Sequence, residues 1–202
     1  MKKALLALLL VTIPLLPASA WRILYAEQYY KLYHEHFYHY PDDTMENISY
    51  LETALKSDFA PFANPLYALA TIHDKAEWER YRYLFSMHVN LKLISLYLTL
   101  GSKYDKMVAY FYNEPWKRQN LESLATAEQV YKSAYGYWEA ARQWSAKAWS
   151  MRGVHLEQVQ AWEDECFRVQ TGDLEYRDII DAQLARLAKV RADFQKMDQS
   201  TY

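Results

Sequence analysis

The chain has 202 residues, with 23 Lys and Arg against 25 Asp and Glu, and a formal net charge of -2. With no basic patch or Lys/Arg run it does not fit a nucleic-acid partner. Its single cysteine, Cys166, excludes an internal disulfide framework, and the length suits one domain with a sizeable core.

The first twenty residues read as an export signal. Lys2 and Lys3 form a positive start, Ala4 to Leu16 is apolar, and Ala18-Ser19-Ala20 has the small-x-small pattern of a cleavage site. The apolar run falls short of the roughly 20 residues that span a bilayer. The expected product is therefore a periplasmic protein cleaved after Ala20, with a single domain over residues 21–202. Elsewhere, residues 84–100 come closest to a membrane span, but Asn90, Lys92 and His88 within them indicate a buried core helix.

Breaker residues divide the rest into helical segments, because the apolar period between them is 3 to 4 and never 2. The pattern predicts about eight helices. The first covers 22–39 and stops before Pro41; the second covers 44–57 behind the caps Asp42 and Asp43. Asn64-Pro65 opens a short third helix to residue 72. Asp74 caps a fourth, 75–100, ending at Gly101. A fifth over 103–112 stops before Pro115. A sixth covers 116–151, a seventh 154–171, and Asp173 caps an eighth over 174–197. Gly101, Gly153 and Gly172 thus fall where C-cap glycines belong.

The faces of these helices indicate their packing. The last has one apolar stripe, Tyr176, Ile180, Leu184, Leu187, Val190, Phe194 and Met197, against a charged opposite face. The fourth and sixth carry two stripes each and so should be sandwiched between neighbours. The expected fold is all-α, with stacked antiparallel helical hairpins arranged as a repeat array or a bundle.

One stretch, NLKLISLYLTLGSKYDKMVAYFYNEP at 90–115, resembles a tetratricopeptide repeat in the order of Leu100-Gly101, Tyr104-Asp105-Lys106, Ala109-Tyr110 and Pro115. A strict 34-residue period is absent, so the resemblance is to a degenerate array. It implies a helical scaffold for protein binding. An exported, tyrosine-rich chain of this size is also similar to periplasmic flagellar collar components of spirochaetes, which would imply flagellar motor partners.

YYKLYHEHFYHY at 29–40 is the most unusual segment. His36 and His39 stand at i, i+3 and are weak metal candidates, but His34-Glu35-His36-Phe37-Tyr38 puts Tyr38 where a zinc-protease helix needs its second His, and no Glu has a His three residues on. No metal or cofactor is expected. The segment carries two aromatic rows, Tyr25-Tyr29-Tyr33-Phe37 and Tyr30-His34-Tyr38. One row can enter the core and the other can serve as an interaction face. Trp116 and Arg118 in NEPWKRQNLES either staple a turn or form a binding hot spot. Catalytic motifs are missing: no G-x-S-x-G and no phosphate loop.

The sequence therefore points to a non-enzymatic periplasmic adaptor or scaffold that binds other envelope or flagellar proteins, with Tyr30, His34, Tyr38, Trp116 and Arg118 as candidate contact residues. The alternative is a periplasmic small-molecule or metal-binding helical protein. Cys166, between Glu165 and Phe167, reads as a half-buried structural thiol.

Overall fold

The computed structural model describes residues 22–198. The expected signal segment lies outside them. Within them the chain is all-α and carries six α-helices: α1 (Ala26–His39), α2 (Thr44–Lys56), α3 (Lys75–Tyr104), α4 (Lys117–Ser150), α5 (Gln160–Thr171) and α6 (Tyr176–Lys196). Short 3-10 turns, Phe111–Trp116 and Glu157–Val159, lead into α4 and α5.

Local chemistry sets the helix starts. Gln28 Oε1 accepts the Leu24 and Tyr25 amides at 2.9 and 3.1 Å and fixes the start of α1. Asp43 and Asp74 cap α2 and α3 by accepting the Glu46 and Glu77 amides. Gly172, at φ 82°, closes α5 in the left-handed conformation that glycine adopts without strain. The expected cap of the last helix is displaced: Asp173 accepts the Thr171 hydroxyl, and Glu175 accepts the Arg177 amide instead.

Two predicted helices do not form. Residues 65–72 run as turns because side chains hold their amides. Leu69 donates to the Tyr81 hydroxyl at 3.1 Å and Thr71 to Gln158 Oε1 at 3.3 Å. Residues 103–112 divide. α3 continues through Tyr104, and the chain then leaves helical geometry at Asp105, whose carboxylate is drawn to Tyr131 and Arg186.

Gly101 is therefore not a helix stop. It lies inside α3, where a Cβ would sit 2.3 Å from Cε1 of Tyr131. Its role is close approach between helices. Gly153 lies in the turn after α4, without positive φ.

α3 and α4 form a long antiparallel hairpin at the centre, shown by the pairings Gly101–Tyr131, Tyr97–Tyr137, Tyr83–Trp144 and Arg80–Arg152. α3 is buried on nearly every side, through Trp78, Tyr81, Leu84, Phe85, Val89, Leu93 and Ile94. It is the one helix among the described residues long and apolar enough to cross a membrane, and 72% of that window is buried inside the protein. A helix apolar all round with such cover is a core helix.

The α1–α2 hairpin packs on α3. Glu52 of α2 accepts the stacked hydroxyls of Tyr97 and Tyr137 at 2.8 and 2.6 Å, joining α2, α3 and α4. α6 lies antiparallel on α4, with Ile180, Leu187, Val190 and Phe194 buried as its single stripe required. α5 crosses α3 and α4. There Arg80 and Glu163 pair at 3.1 Å in the interior. Cys166 is fully buried against Ser145, so the half-buried expectation is corrected; burial pushes its thiol pKa up.

Candidate functional site

The antiparallel arrangement collects the C-termini of α1, α3 and α6 and the N-termini of α2 and α4 at one end of the molecule. Three ties hold that end together. Lys103 Nζ donates to the Asp42 carbonyl at 2.5 Å and to Thr44 Oγ1 at 2.7 Å, linking α3 to the α1–α2 turn. Ser123 Oγ donates to the Tyr104 carbonyl at 2.6 Å. Lys117 Nζ caps the last turn of α6 through the carbonyls of Gln195 and Met197 at 2.9 and 2.8 Å.

Asp105 anchors the connection behind this end. Its carboxylate is nearly inaccessible and receives Arg186 and the Tyr131 hydroxyl, whose pKa burial and this carboxylate push up to about 12. With Asp105 fixed inward, residues 107–116 are left on the outside. Met107 is 73% exposed and Trp116 56%. Val108, Tyr110, Phe111 and Tyr112 between them are exposed as well, with Tyr110 and Tyr112 stacked at 5.2 Å. Around the α1–α2 turn, which Lys103 ties to the end of α3, Tyr38 (82% exposed), Tyr40 and Met45 are exposed too. Isolated exposed apolar residues need no explanation, whereas a run of them along one connection does. Beside it runs a groove of about 580 Å³, lined by Pro115, Lys117, Arg118, Leu121 and Glu122 among others.

The sequence candidates separate accordingly. Tyr38, Trp116 and Arg118 are exposed at this end. Tyr30 is not a surface residue. It is 4% exposed and packs on Phe85, His88 and Trp162, so its assignment to a contact face is corrected. Each row has one buried member, Tyr33 in the first and Tyr30 in the second, because α1 is covered by α3 and α5 as well as by α2. His34 is exposed, and its Nε2 lies 3.1 Å from the Tyr30 hydroxyl.

The weak metal candidates do not converge. His36 Nδ1 donates to Asn47 Oδ1 at 3.0 Å, and Asn47 Nδ2 donates to the Tyr40 carbonyl at 3.1 Å, so His36 braces the α1–α2 turn. His39 lies edge-on to Tyr38. Among the described residues no group of three or more His, Cys, Asp or Glu is placed to hold a metal ion.

The segment 105–116 carried the signal for this surface. The reading of 103–112 as a helix hid it.

Fold and surface together describe a small all-α protein with exposed aromatic side chains at one end. A family model, "Domain of unknown function (DUF8513)", matches residues 76–197, and the chain belongs to that family. The match covers α3 to α6 and the aromatic connection, and leaves α1 and α2 outside it. No curated protein and no solved structure matches the chain.

Proposed function

We propose that this protein is a non-enzymatic adaptor or scaffold, exported to the periplasm, that binds other proteins of an envelope assembly through its aromatic end. The observation that carries the reading is the exposure of Met107, Val108, Tyr110, Phe111, Tyr112 and Trp116 along one connection, at the same end of the molecule as the exposed Tyr38 and Tyr40. Tyr and Trp supply large contact area at low conformational cost, and Arg118 beside Trp116 adds the third residue type enriched in hot spots. Export rests on residues 1–20, and flagellar motor components as partners rest on the sequence resemblance. We read the α1–α2 and α3–α4 hairpins as degenerate tetratricopeptide-like units, with α5 and α6 closing the array.

Tagged protein recovered from the native envelope tests this reading. Met107→Ser with Val108→Ser should abolish recovery of a defined partner set while the helical signal and melting temperature stay those of the wild type. Recovery of the same partners by this variant sinks the proposal. Trp116→Ala should weaken the interaction by about 2 kcal/mol or more.

A further inference from the structure

A second feature lies away from the aromatic end. Four polar side chains from three helices form a single hydrogen-bonded chain through the core. Glu165 Oε2 on α5 lies 2.6 Å from His88 Nδ1 on α3. His88 Nε2 lies 2.7 Å from the hydroxyl of Tyr30 on α1, and that hydroxyl lies 3.1 Å from His34 Nε2, also on α1. His88 and Tyr30 are buried, whereas His34 and, in part, Glu165 reach the surface. Trp162 of α5 stacks on the His88 ring at 4.9 Å and shields it. Direct side-chain bonds from α1 to α3 in this region run through Tyr30 and His88 alone among the described residues.

The donors can be assigned by counting protons. With both imidazoles neutral, one arrangement satisfies every atom. His34 Nε2–H donates to the Tyr30 oxygen, the Tyr30 hydroxyl donates to His88 Nε2, and His88 Nδ1–H donates to the Glu165 carboxylate. A first proton, on His88, is still accommodated. His88 Nε2 then donates to Tyr30, the Tyr30 hydroxyl turns to donate to His34, and His34 carries its hydrogen on Nδ1. A second proton, on His34, is not. Two imidazolium Nε2–H groups then point at one phenol oxygen, and the phenol hydrogen has no acceptor left in the chain. Two like charges also face each other across a single atom. The exposed member, His34, can relieve this by swinging into water; the buried His88 cannot.

We infer that the Glu165–His88–Tyr30–His34 chain is a proton-operated clasp: closed when the imidazoles are neutral, it holds α1 against α3 and α5, and it releases the middle of α1 when both take up protons. The charged and titratable groups bearing on the two rings are Tyr30 on α1, Lys92 on α3 and Glu165 on α5. Burial, the largest influence, and Lys92 oppose a proton on His88, and Glu165 only partly offsets them. Burial, His88 and Lys92 all oppose protonation of His34. The ligand is the proton itself, and opening belongs to mildly acidic conditions. The inference rests on the hydrogen-bonded chain and not on the adaptor reading.

Hydrogen exchange resolved by helix, at about pH 7.5 and pH 5.5 and corrected for intrinsic rates, reads the clasp directly. The wild-type chain should exchange the α1 amides at least about fivefold faster at the lower pH, with a clearly smaller change in the central α3–α4 hairpin. His34→Gln removes the second proton at an exposed position without threatening the fold, and should cut the pH difference in α1 to near zero. His88→Asn should do the same in a less stable protein. An α1 that exchanges equally at both values overturns the clasp. So does a pH difference that persists in His34→Gln, or one spread evenly over all six helices.

Discussion

Gly101 and Gly136 are both helix-interior glycines, and the structure predicts opposite outcomes for alanine at the two. Replacing glycine by alanine inside a helix ordinarily stabilises by about 0.5–1 kcal/mol, because it removes backbone freedom from the unfolded chain. At Gly136 nothing lies within 4 Å of the added Cβ, so Gly136→Ala should gain that amount. At Gly101 the Cβ would lie 2.3, 2.5 and 2.9 Å from three ring atoms of Tyr131. The ring must retreat by more than 1 Å to reach ordinary contact at about 3.4 Å. It has little room: Tyr131 is buried, and its hydroxyl is held 2.9 Å from Asp105, which Arg186 fixes in turn. Overpacking of a tight core costs about 1–3 kcal/mol, and loosening a hydrogen bond to a carboxylate adds about 1.5–3 kcal/mol. Against the propensity gain, Gly101→Ala should lose about 2 kcal/mol or more. In a domain of this size that lowers the melting temperature by roughly 4–8 °C, while Gly136→Ala raises it by about 1–4 °C. Thermal unfolding followed by circular dichroism measures both. A Gly101→Ala protein as stable as wild type would refute the close approach of α3 to α4 that organises the fold.

Other expectations follow from the same packing. The folded-state pKa values of His34 and His88 lie below the usual 6.5 because burial disfavours the charged rings. The unfolded chain therefore binds more protons at mildly acidic pH, so this stability is intact above about pH 6.5 and is lost as pH falls below it. Melting temperatures from about pH 7.5 down to pH 5 should fall, and a rise would contradict the buried placement of His88. Gly172→Ala forces a side chain into the left-handed region and should destabilise by about 1 kcal/mol in denaturant unfolding, although nothing lies within 4 Å of its Cβ. Cys166, buried with its pKa raised, should react with a thiol reagent only after denaturant is added; prompt reaction in native buffer would place it at the surface.

Periodicity was enough to read the helices that make their own case. The α6 stripe and the apolar α3 are local patterns that burial turned directly into a core. The errors share one cause: a partner distant in sequence. Gly101 looked like a stop because glycine after a leucine-rich run often is one. The ring that requires its missing side chain belongs to Tyr131 on another helix. Asn64-Pro65 opens helices well, but Tyr81 and Gln158 took the amides that a helix at 65–72 needed. The aromatic end was half legible. Trp116 and Tyr38 stood out by composition, whereas Met107 to Tyr112 were assigned to a helix over 103–112. Their exposure depends on Asp105 being drawn inward by Arg186, 81 residues away. Tyr30 was misplaced for the same reason, since its cover comes from His88 and Trp162.

The adaptor reading rests on one surface, so its most direct test is a map of that surface in the cell. A photocrosslinking residue would be placed in turn at Tyr38, at Trp116 and at Lys189 on the exposed outer face of α6. The account predicts that the first two capture the same one or few envelope proteins and that the third captures none of them. If positions 38 and 116 give no crosslinks while the chain is folded and abundant, or if position 189 gives the same ones, the aromatic end is not the binding surface.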